Sequence, residues 1–333
     1  MDFSQLFQKI SGLKVGVIGD VMLDTYMWGQ VDRISPEAPV PIVSLQKKEQ
    51  RIGGAGNVAL NVQSLQAKAF VLTVTGKDED AVQLNRLFAE NHINTAYSFA
   101  SPGRITTNKT RIISRNQHMM RLDAEITTDL DRMEEERILE LFEQFVARER
   151  PDIVILEDYN KGVLTEGVIR SVISICRKEG ILTAVDPKRK NFFEFRHVDV
   201  FKPNLKEAKE ALNIISGDVS KALLENIHLE LHHILQHQIS FITLSEKGVF
   251  YQNDHEAAVI PSHLRNIADV SGAGDTVIAV ASLVYAATRD VRLMAEISNI
   301  AGGLVCEEVG TVAIDGSKLL RECALLLKKE LVN

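Results

Sequence analysis

Short apolar runs alternate with amphipathic stretches along almost the whole chain, and this alternation limits the possible folds more than any other feature. "KVGVIGDVML" reads as a strand, "GNVALNVQSLQA" as a helix, "AFVLTVTG" as a strand and "DEDAVQLNRLFAENH" as a helix. The acidic helical stretch "DLDRMEEERILELFEQFVARER" leads into "DIVILED", a nearly all-apolar strand. "TEGVIRSVISICRKEG" then reads as a helix, and "LTAVD" and "VDVFKPN" as strands. "SFITLSEKGVFYQND" has the pattern of two strands around a turn, and three helical segments close the chain. Strands that alternate with helices build right-handed βαβ units. Continuous apolar strands agree with this, because parallel strands are buried on both faces. The expected class is α/β, with a mainly parallel sheet flanked by helices.

Two segments break the rhythm. "TYMWGQVDRISPEAPVPIVSLQKKEQ" holds three of the eight prolines, and "ITTNKTRIISRNQHMMRLD" alternates polar and apolar residues like a half-exposed strand. Both return soon to the main pattern. We expect one domain over residues 1–333, with a small inserted β lid at about 25–50 and 97–125.

Composition removes several function classes. The 333 residues carry a formal net charge of −7, which argues against a nucleic-acid partner. The longest apolar run, Val277 to Ala287, falls short of the roughly 20 residues that cross a bilayer, so no membrane role is expected. Cys176, Cys306 and Cys323 are far apart, with no C-x-x-C, so buried reduced thiols are expected rather than disulfides or a zinc site. The N-terminus lacks a basic segment followed by an apolar run, and a cytoplasmic protein is the expectation. The nine histidines show no metal-ligand spacing; His228, His232 and His233 share one helical pattern and are expected on a solvated face.

The chemistry concentrates in "DVSGAGDT", residues 269–276, which opens a helical run. Glycines at a helix entry let the backbone turn tightly and approach a ligand. The first helical amides lack partners and face the positive end of the helix dipole, so they suit an anion. Asp275 would sit beside that anion, and a carboxylate there can accept a proton from a hydroxyl attacking phosphorus. The same spacing also suits a plain helix N-cap. A second glycine motif, "GGAGN" at residues 53–57, again opens a helix. It is neither a P-loop nor the G-x-G-x-x-G of a dinucleotide fold, which disfavours a Rossmann dehydrogenase.

Together "GGAGNVALNVQSLQA", "PNLKE" and "DVSGAGDTVIAVAS" resemble the signatures of the ribokinase-like (PfkB) carbohydrate kinases, in the right order and across nearly the whole chain. "GDVMLDTYMWGQVDRISPEAPVPIV", "TRIISRNQHMMRLD", "DYNKGVL", "VDPK" and "NIAGGLVCEEVGT" are similar to the heptose-7-phosphate kinases that supply ADP-heptose for bacterial glycans. That resemblance implies a ribokinase-like fold and transfer of phosphate from ATP to the anomeric hydroxyl of D-glycero-D-manno-heptose 7-phosphate. Many bacteria fuse this kinase to an adenylyltransferase; the chain ends at residue 333 without an H-x-G-H, so a stand-alone kinase is expected.

The resemblance also implies roles. Asp275 matches the catalytic base, with the amides of Gly272, Ala273 and Gly274 as the anion hole. Asp24, and less directly Asp20, would bond sugar hydroxyls, and Gly53, Gly54 and Asn57 would line the sugar pocket. Asp158 and Lys161 would lie on the sugar side. Asn204 and Glu207 would organise Mg²⁺ and its waters, a hard ion that takes few direct protein ligands. Thr243, Ser245 and Gly248 would bind the nucleotide. Asp269 and Ser271 match positions where some relatives hold a monovalent cation such as K⁺. Met22 stands where ribokinases carry a polar residue, as it does in the heptose kinases. Relatives often dimerise through the lid, which would pair otherwise exposed strand edges.

One feature is local. Arg104, Lys109, Arg111, Arg115 and Arg121 lie in a stretch without an acidic residue. A solvated lid face explains them, or else Lys109 and Arg111 reach inward to hold the 7-phosphate, for which arginine's planar fork is suited. Another PfkB-type kinase, or a non-catalytic sensor on the same scaffold, are the competing functions. An intact "GAGD" argues against the sensor, which needs no base.

Overall fold

The all-apolar strands build two hydrophobic cores, one on each face of a single sheet. The structure is a computed structural model and describes residues 2–115, 117–215 and 218–327. In chain order the first elements are α1 (Phe3–Ile10), β1 (Lys14–Gly19), β2 (Val21–Ile34), β3 (Pro41–Gly54), α2 (Ala55–Ser64), β4 (Lys68–Leu72), β5 (Val74–Thr75), α3 (Glu79–Glu90) and β6 (Phe99–Ala100). Next come β7 (Asn108–Ser114), β8 (Gln117–Ala124), α4 (Arg132–Glu149), β9 (Ile153–Glu157), α5 (Glu166–Glu179), β10 (Leu182–Asp186), β11 (Val200–Phe201) and α6 (Leu205–Ala211). The last are α7 (Lys221–Leu235), β12 (Ile239–Thr243), β13 (Val249–Gln252), β14 (Ala257–Ile260), α8 (Ala273–Thr288), α9 (Val291–Val305) and α10 (Gly316–Leu326).

The main sheet has the order β14-β13-β12-β11-β10-β9-β1-β4. It is parallel from β4 to β12 and antiparallel only at β13 and β14. Successive residues of a strand point to opposite faces. In β9, Ile153 and Ile155 join the core under α1, α2, α8, α9 and α10, while Val154 and Leu156 join the core under α4, α5 and α7. Strand order reverses where β1 lies between β4 and β9, and in open α/β sheets ligands bind beyond the carboxyl ends of strands at such a point.

"KVGVIGDVML" is not one strand. β1 stops at Gly19, and after Asp20 the chain leaves the main sheet as β2. The cause is Asp20, whose carboxylate accepts the amides of Tyr159 (3.0 Å), Lys161 (2.9 Å) and Val163 (3.0 Å) and so ties the exit of β1 to the loop after β9. β2 and β3 form a long hairpin that pairs with β7 and β8 as a separate four-stranded sheet, order β3-β2-β7-β8. The hairpin of this lid sheet begins at Val21 and returns at Gly54; its second part begins at Asn108, and residues 97–107 lie outside it, with β6 paired to β5 instead.

The histidine expectation is corrected for His228. His228 is buried and its ring stacks on His232 at 5.5 Å, while Ser240 Oγ lies 2.9 Å from His228 Nδ1 and 2.6 Å from His237 Nε2. Burial, then the neighbouring imidazoles, push His228 down to about 4 and His237 down to about 3, so both stay neutral. The three share α7, but only His228 is buried, against Ser240 of β12; His232 is half-buried and His233 is exposed as expected. Cys176 and Cys323 are buried thiols, pushed up to about 12 by burial.

Candidate active site

Asp275 lies in the first turn of α8 but does not cap it. Gly272 is the N-cap residue, at φ +76°, a left-handed conformation that a side chain would strain; a Cβ there would also meet Asn57 Nδ2 at 2.8 Å. The cap alternative for Asp275 therefore falls. Its carboxylate instead accepts side-chain donors from two other elements: Asn57 Nδ2 at 2.8 Å on Oδ2, and Tyr159 OH at 2.7 Å on Oδ1. Burial pushes Asp275 up to about 6, against the opposing donation of Asn57 and Tyr159. Asn57 is itself wholly buried inside α2, beside Asn61, which accepts from Thr276 Oγ1 at 3.0 Å. The two glycine motifs thus meet in space, and α2 packs directly on α8. Of the three amides expected to form an anion hole, that of Ala273 donates to Val270 O at 3.3 Å.

The strand ends supply a second layer beneath Asp275. Glu157 ends β9 in register with Asp186 at the end of β10. Glu157 is fully buried and neither carboxylate oxygen has a hydrogen-bond partner. Burial, then Asp186 and Asp275, raise it well above the usual carboxylate range, which favours the neutral acid. Asp186 Oδ2 pairs with the buried Lys202 at 2.7 Å, while its Oδ1 has no hydrogen-bond partner. This pair lies against the α8 entry: a Cβ on Gly274 would sit 3.7 Å from Asp186 Oδ2 and 3.9 Å from Lys202 Nζ. Lys188 Nζ stands 3.7 Å from Asp186 Oδ1 and 2.7 Å from Glu207 Oε1. Burial opposes its charge, but Asp186 and Glu207 outweigh that and hold it above the ordinary lysine range.

Glu207 and Asn204 form a capping box on α6, each side chain bonded to the other's backbone amide at 2.8 Å. Asn204 also bridges to Thr243 at the end of β12. Ser245, at φ +58°, begins the short helical turn that Gly248 closes by donating to Ser245 O at 3.1 Å. Asp269 accepts from Ser271 N at 3.0 Å and Ser271 Oγ at 2.9 Å on one oxygen, and from Gly310 N at 2.9 Å on the other. It braces the loop before α8.

On the lid side, Asp24 is buried on β2 and pairs with Arg111 of β7 at 2.5 Å. Its other oxygen lies 3.4 Å from Thr311 Oγ1 and close against Gly53. Arg111 also covers Tyr26, 5.2 Å from the ring centroid. Gly54, at φ +60°, turns β3 into α2. Lys109 Nζ sits 5.5 Å from the ring centroid of Tyr159, and Lys188 Nζ 5.7 Å. Lys161 pairs with Glu125 at 2.7 Å. Arg104 donates to the backbone of Thr128 and Lys161, and Arg121 pairs with Asp123, so neither points to Asp275. Asp158 accepts the amide of Asn160 at 2.7 Å; burial, then Asp20, push it up to about 7. Asp20 accepts three backbone amides and is buried, which gives it a structural task at the exit of β1.

Asp24, Asn57, Gly53, Lys109 and Arg111 are therefore gathered on one side of Asp275. Asn204, Glu207, Thr243, Ser245 and Gly248 form a separate group, joined to it through Lys188. Sequence reasoning missed Tyr159, Glu157, Asp186, Lys188 and Lys202. All five follow the rule that ligands lie beyond parallel strand ends, and all fall within or beside segments already singled out.

Comparison with known proteins agrees with this geometry. The pfkB family carbohydrate kinase profile matches residues 13–316. The chain is 38% identical over 306 residues to the bifunctional protein HldE of Sulfurimonas denitrificans, covering 92% of this chain and 63% of that protein. It is 36% identical over 321 residues to HldE of Trichlorobacter lovleyi, covering 96% and 65%. The chain thus spans just under two thirds of these relatives. Among solved structures, Escherichia coli phosphofructokinase-2 in complex with potassium superposes with a TM-score of 0.78 at 16% identity, covering 95% of this chain and 99% of that one. Arabidopsis thaliana ribokinase complexed with ribose and ATP gives 0.71 at 14% identity, covering 93% and 99%. With its ribokinase-like fold and a family match across nearly its full length, the chain belongs to the pfkB family of carbohydrate kinases, enzymes that transfer phosphate to a sugar hydroxyl.

Proposed function

We propose that the chain phosphorylates D-glycero-D-manno-heptose 7-phosphate at its anomeric hydroxyl, giving the 1,7-bisphosphate for ADP-heptose and lipopolysaccharide synthesis. Lys109 carries this choice of sugar. It is half-buried on the sugar side, over Tyr159, and has no carboxylate in ion-pair distance among the described residues. Burial works against its charge most, only partly offset by the nearby Asp24, and Lys161 adds to the opposition, so the ammonium is held below its ordinary range. A cation held there at such a cost fits an anionic substrate, and a neutral sugar gives it no partner. The HldE relatives support the same reading.

Asp275 would take the proton of the anomeric hydroxyl as its oxygen bonds to the γ-phosphorus of ATP, while the electron pair of the bond to the β–γ bridging oxygen leaves with ADP. The positive end of α8, with the amides of Gly272 and Gly274, would stabilise the transferring group. Oxygen donors fit Mg²⁺: Asp186 Oδ1 is buried without a hydrogen bond, and Lys188 links it to Glu207. Among the described residues no three acidic, histidine or cysteine side chains converge as a metal cage, which suits an ion held mainly by phosphates and water. Bound there, Mg²⁺ would neutralise charge on the β- and γ-phosphates. Asp269 and Ser271 are already bonded to each other and to Gly310, and no step is derived through a monovalent cation. The expected place of action is the cytoplasm, where ATP is supplied; no helix among the described residues is long and apolar enough to cross a membrane.

ADP release with a panel of sugars and sugar phosphates, with and without Mg²⁺, tests the reading. The 7-phosphorylated heptose should give the highest kcat/KM, and only with Mg²⁺. A preference for an unphosphorylated sugar would assign the chain to another specificity within the family.

A further inference from the structure

Both oxygens of Asp275 already hold a donor, Asn57 Nδ2 on one and Tyr159 OH on the other. To act as a base it must accept a hydrogen bond from the reacting hydroxyl at one of them. The two donors are not equally fixed. Asn57 is completely buried in the first turn of α2, where α2 packs on α8, and a shift there would disturb that contact. Tyr159 is only half-buried and sits in the loop after β9. Its backbone is held by Asp20, so a movement that frees Asp275 is a turn of the ring. That ring lies between Lys109 of the lid and Lys188 of the strand-end cluster. A sugar entering beneath the lid must therefore meet it.

A phenol donating to Asp275 Oδ1 makes the same hydrogen bond that a sugar hydroxyl would make. We propose that Tyr159 is a stand-in for the acceptor: it occupies Asp275 Oδ1 while no sugar is bound, keeps water off the base, and yields that oxygen to the sugar hydroxyl. It is a residue that discriminates sugar from water, and the inference rests on Asp275 as the base. Water at the same oxygen would react with the same balance: its oxygen bonds to the γ-phosphorus, its proton passes to Asp275, and ADP leaves, giving inorganic phosphate.

Tyr159→Phe removes one oxygen and keeps the ring. ADP release from ATP alone should rise about tenfold or more. KM for the sugar should fall about tenfold, because the sugar no longer displaces a hydrogen bond to a charged group. Adding Asp275→Asn to Tyr159→Phe should abolish the extra sugar-free release. Retained ATP binding shows that the variants fold, and Tyr159→Leu repeats the comparison without a ring. A phenol that merely orients Asp275 predicts unchanged sugar-free release and an unchanged or higher KM, and that outcome overturns the proposal. Extra release that survives Asp275→Asn overturns it too. If Asp275→Asn alone keeps sugar-dependent turnover, the base assignment falls and this inference with it. A wild type that prefers some other sugar leaves the test intact, run on that sugar.

Discussion

At the scale of single residues, Asp275 connects more of the site than any other side chain. Asp275→Asn keeps the shape but cannot take a proton, and loss of a positioned base costs about 10²- to 10⁴-fold in rate. Turnover should collapse by that factor while ATP binding, measured by calorimetry, stays near wild type. The carboxyl is pushed up to about 6, so only its ionised form is available as base above that pH. The wild-type kcat/KM should therefore fall as pH drops through about 6, well above the usual aspartate range. A profile flat down to pH 4 would place the proton elsewhere. Arg111 gives the complementary test on the sugar side. Its ion pair with Asp24 holds the guanidinium over the cleft. A hydrogen bond to a charged group is worth about 1.5–3 kcal/mol, so Arg111→Ala should raise KM for the sugar phosphate about ten- to hundredfold, with KM for ATP little changed. An equal rise for an unphosphorylated sugar would show that Arg111 serves Asp24 rather than a phosphate. Asp275 was legible because glycines mark a helix start in the sequence itself, and Asn57 and Glu207 through the resemblance carried by "GGAGN" and "PNLKE". Tyr159, Glu157 and Lys202 were not, because each is set by where a strand happens to stop relative to its neighbours. No local spacing records that.

At the scale of elements, the apolar strands and amphipathic helices could be read directly, since burial on both faces leaves continuous runs. The join between β1 and β2 could not, because the run "KVGVIGDVML" stays apolar while the chain changes sheets. What separates the two strands is a long-range clamp by one carboxylate. α6 does not read as a helix, having only seven residues, and α7 shows only in the helical spacing of its histidines, one of which it buries on its apolar face. The clamp makes a sharp prediction. Asp20 is 2% exposed and accepts three backbone amides from residues 159–163. Asp20→Ala leaves those donors buried without an acceptor, and each such group costs about 1–3 kcal/mol. The variant should lose several degrees of Tm, and proteolysis should begin within the loop around residues 159–163. Unaltered Tm and cleavage would mean that the loop is held by something else.

At the scale of the whole molecule, the lid is the part least explained by one chain. β2 and β3 are 14 residues each, a span of about 45 Å at 3.3 Å per residue, yet the sheet they form is only four strands wide. Its outer parts expose Ile34 (59%), Leu45 (57%), Met120 (56%) and Leu122 (53%). β3 and β8 are its edges, with backbone groups open to pairing. Long edges with solvated apolar side chains are an association hazard unless another surface covers them. A second copy of the chain, meeting lid to lid, would cover both at once, since an isologous contact buries the same patch twice. These side chains still expose 53–59% of their surface, and covering it gains about half of the ~1.5–3 kcal/mol of full burial for each, on both copies. Light scattering at micromolar concentration should therefore give twice the monomer mass. Replacing Met120 and Leu122 together by Lys puts two charges on that face, and the mass should drop to that of the monomer. Because Arg111 of the active site lies on β7, which pairs with β8 directly, the same variant should raise KM for the sugar while leaving ATP binding intact. A wild type that is monomeric under these conditions, or a double variant that stays dimeric, would remove the lid from the assembly.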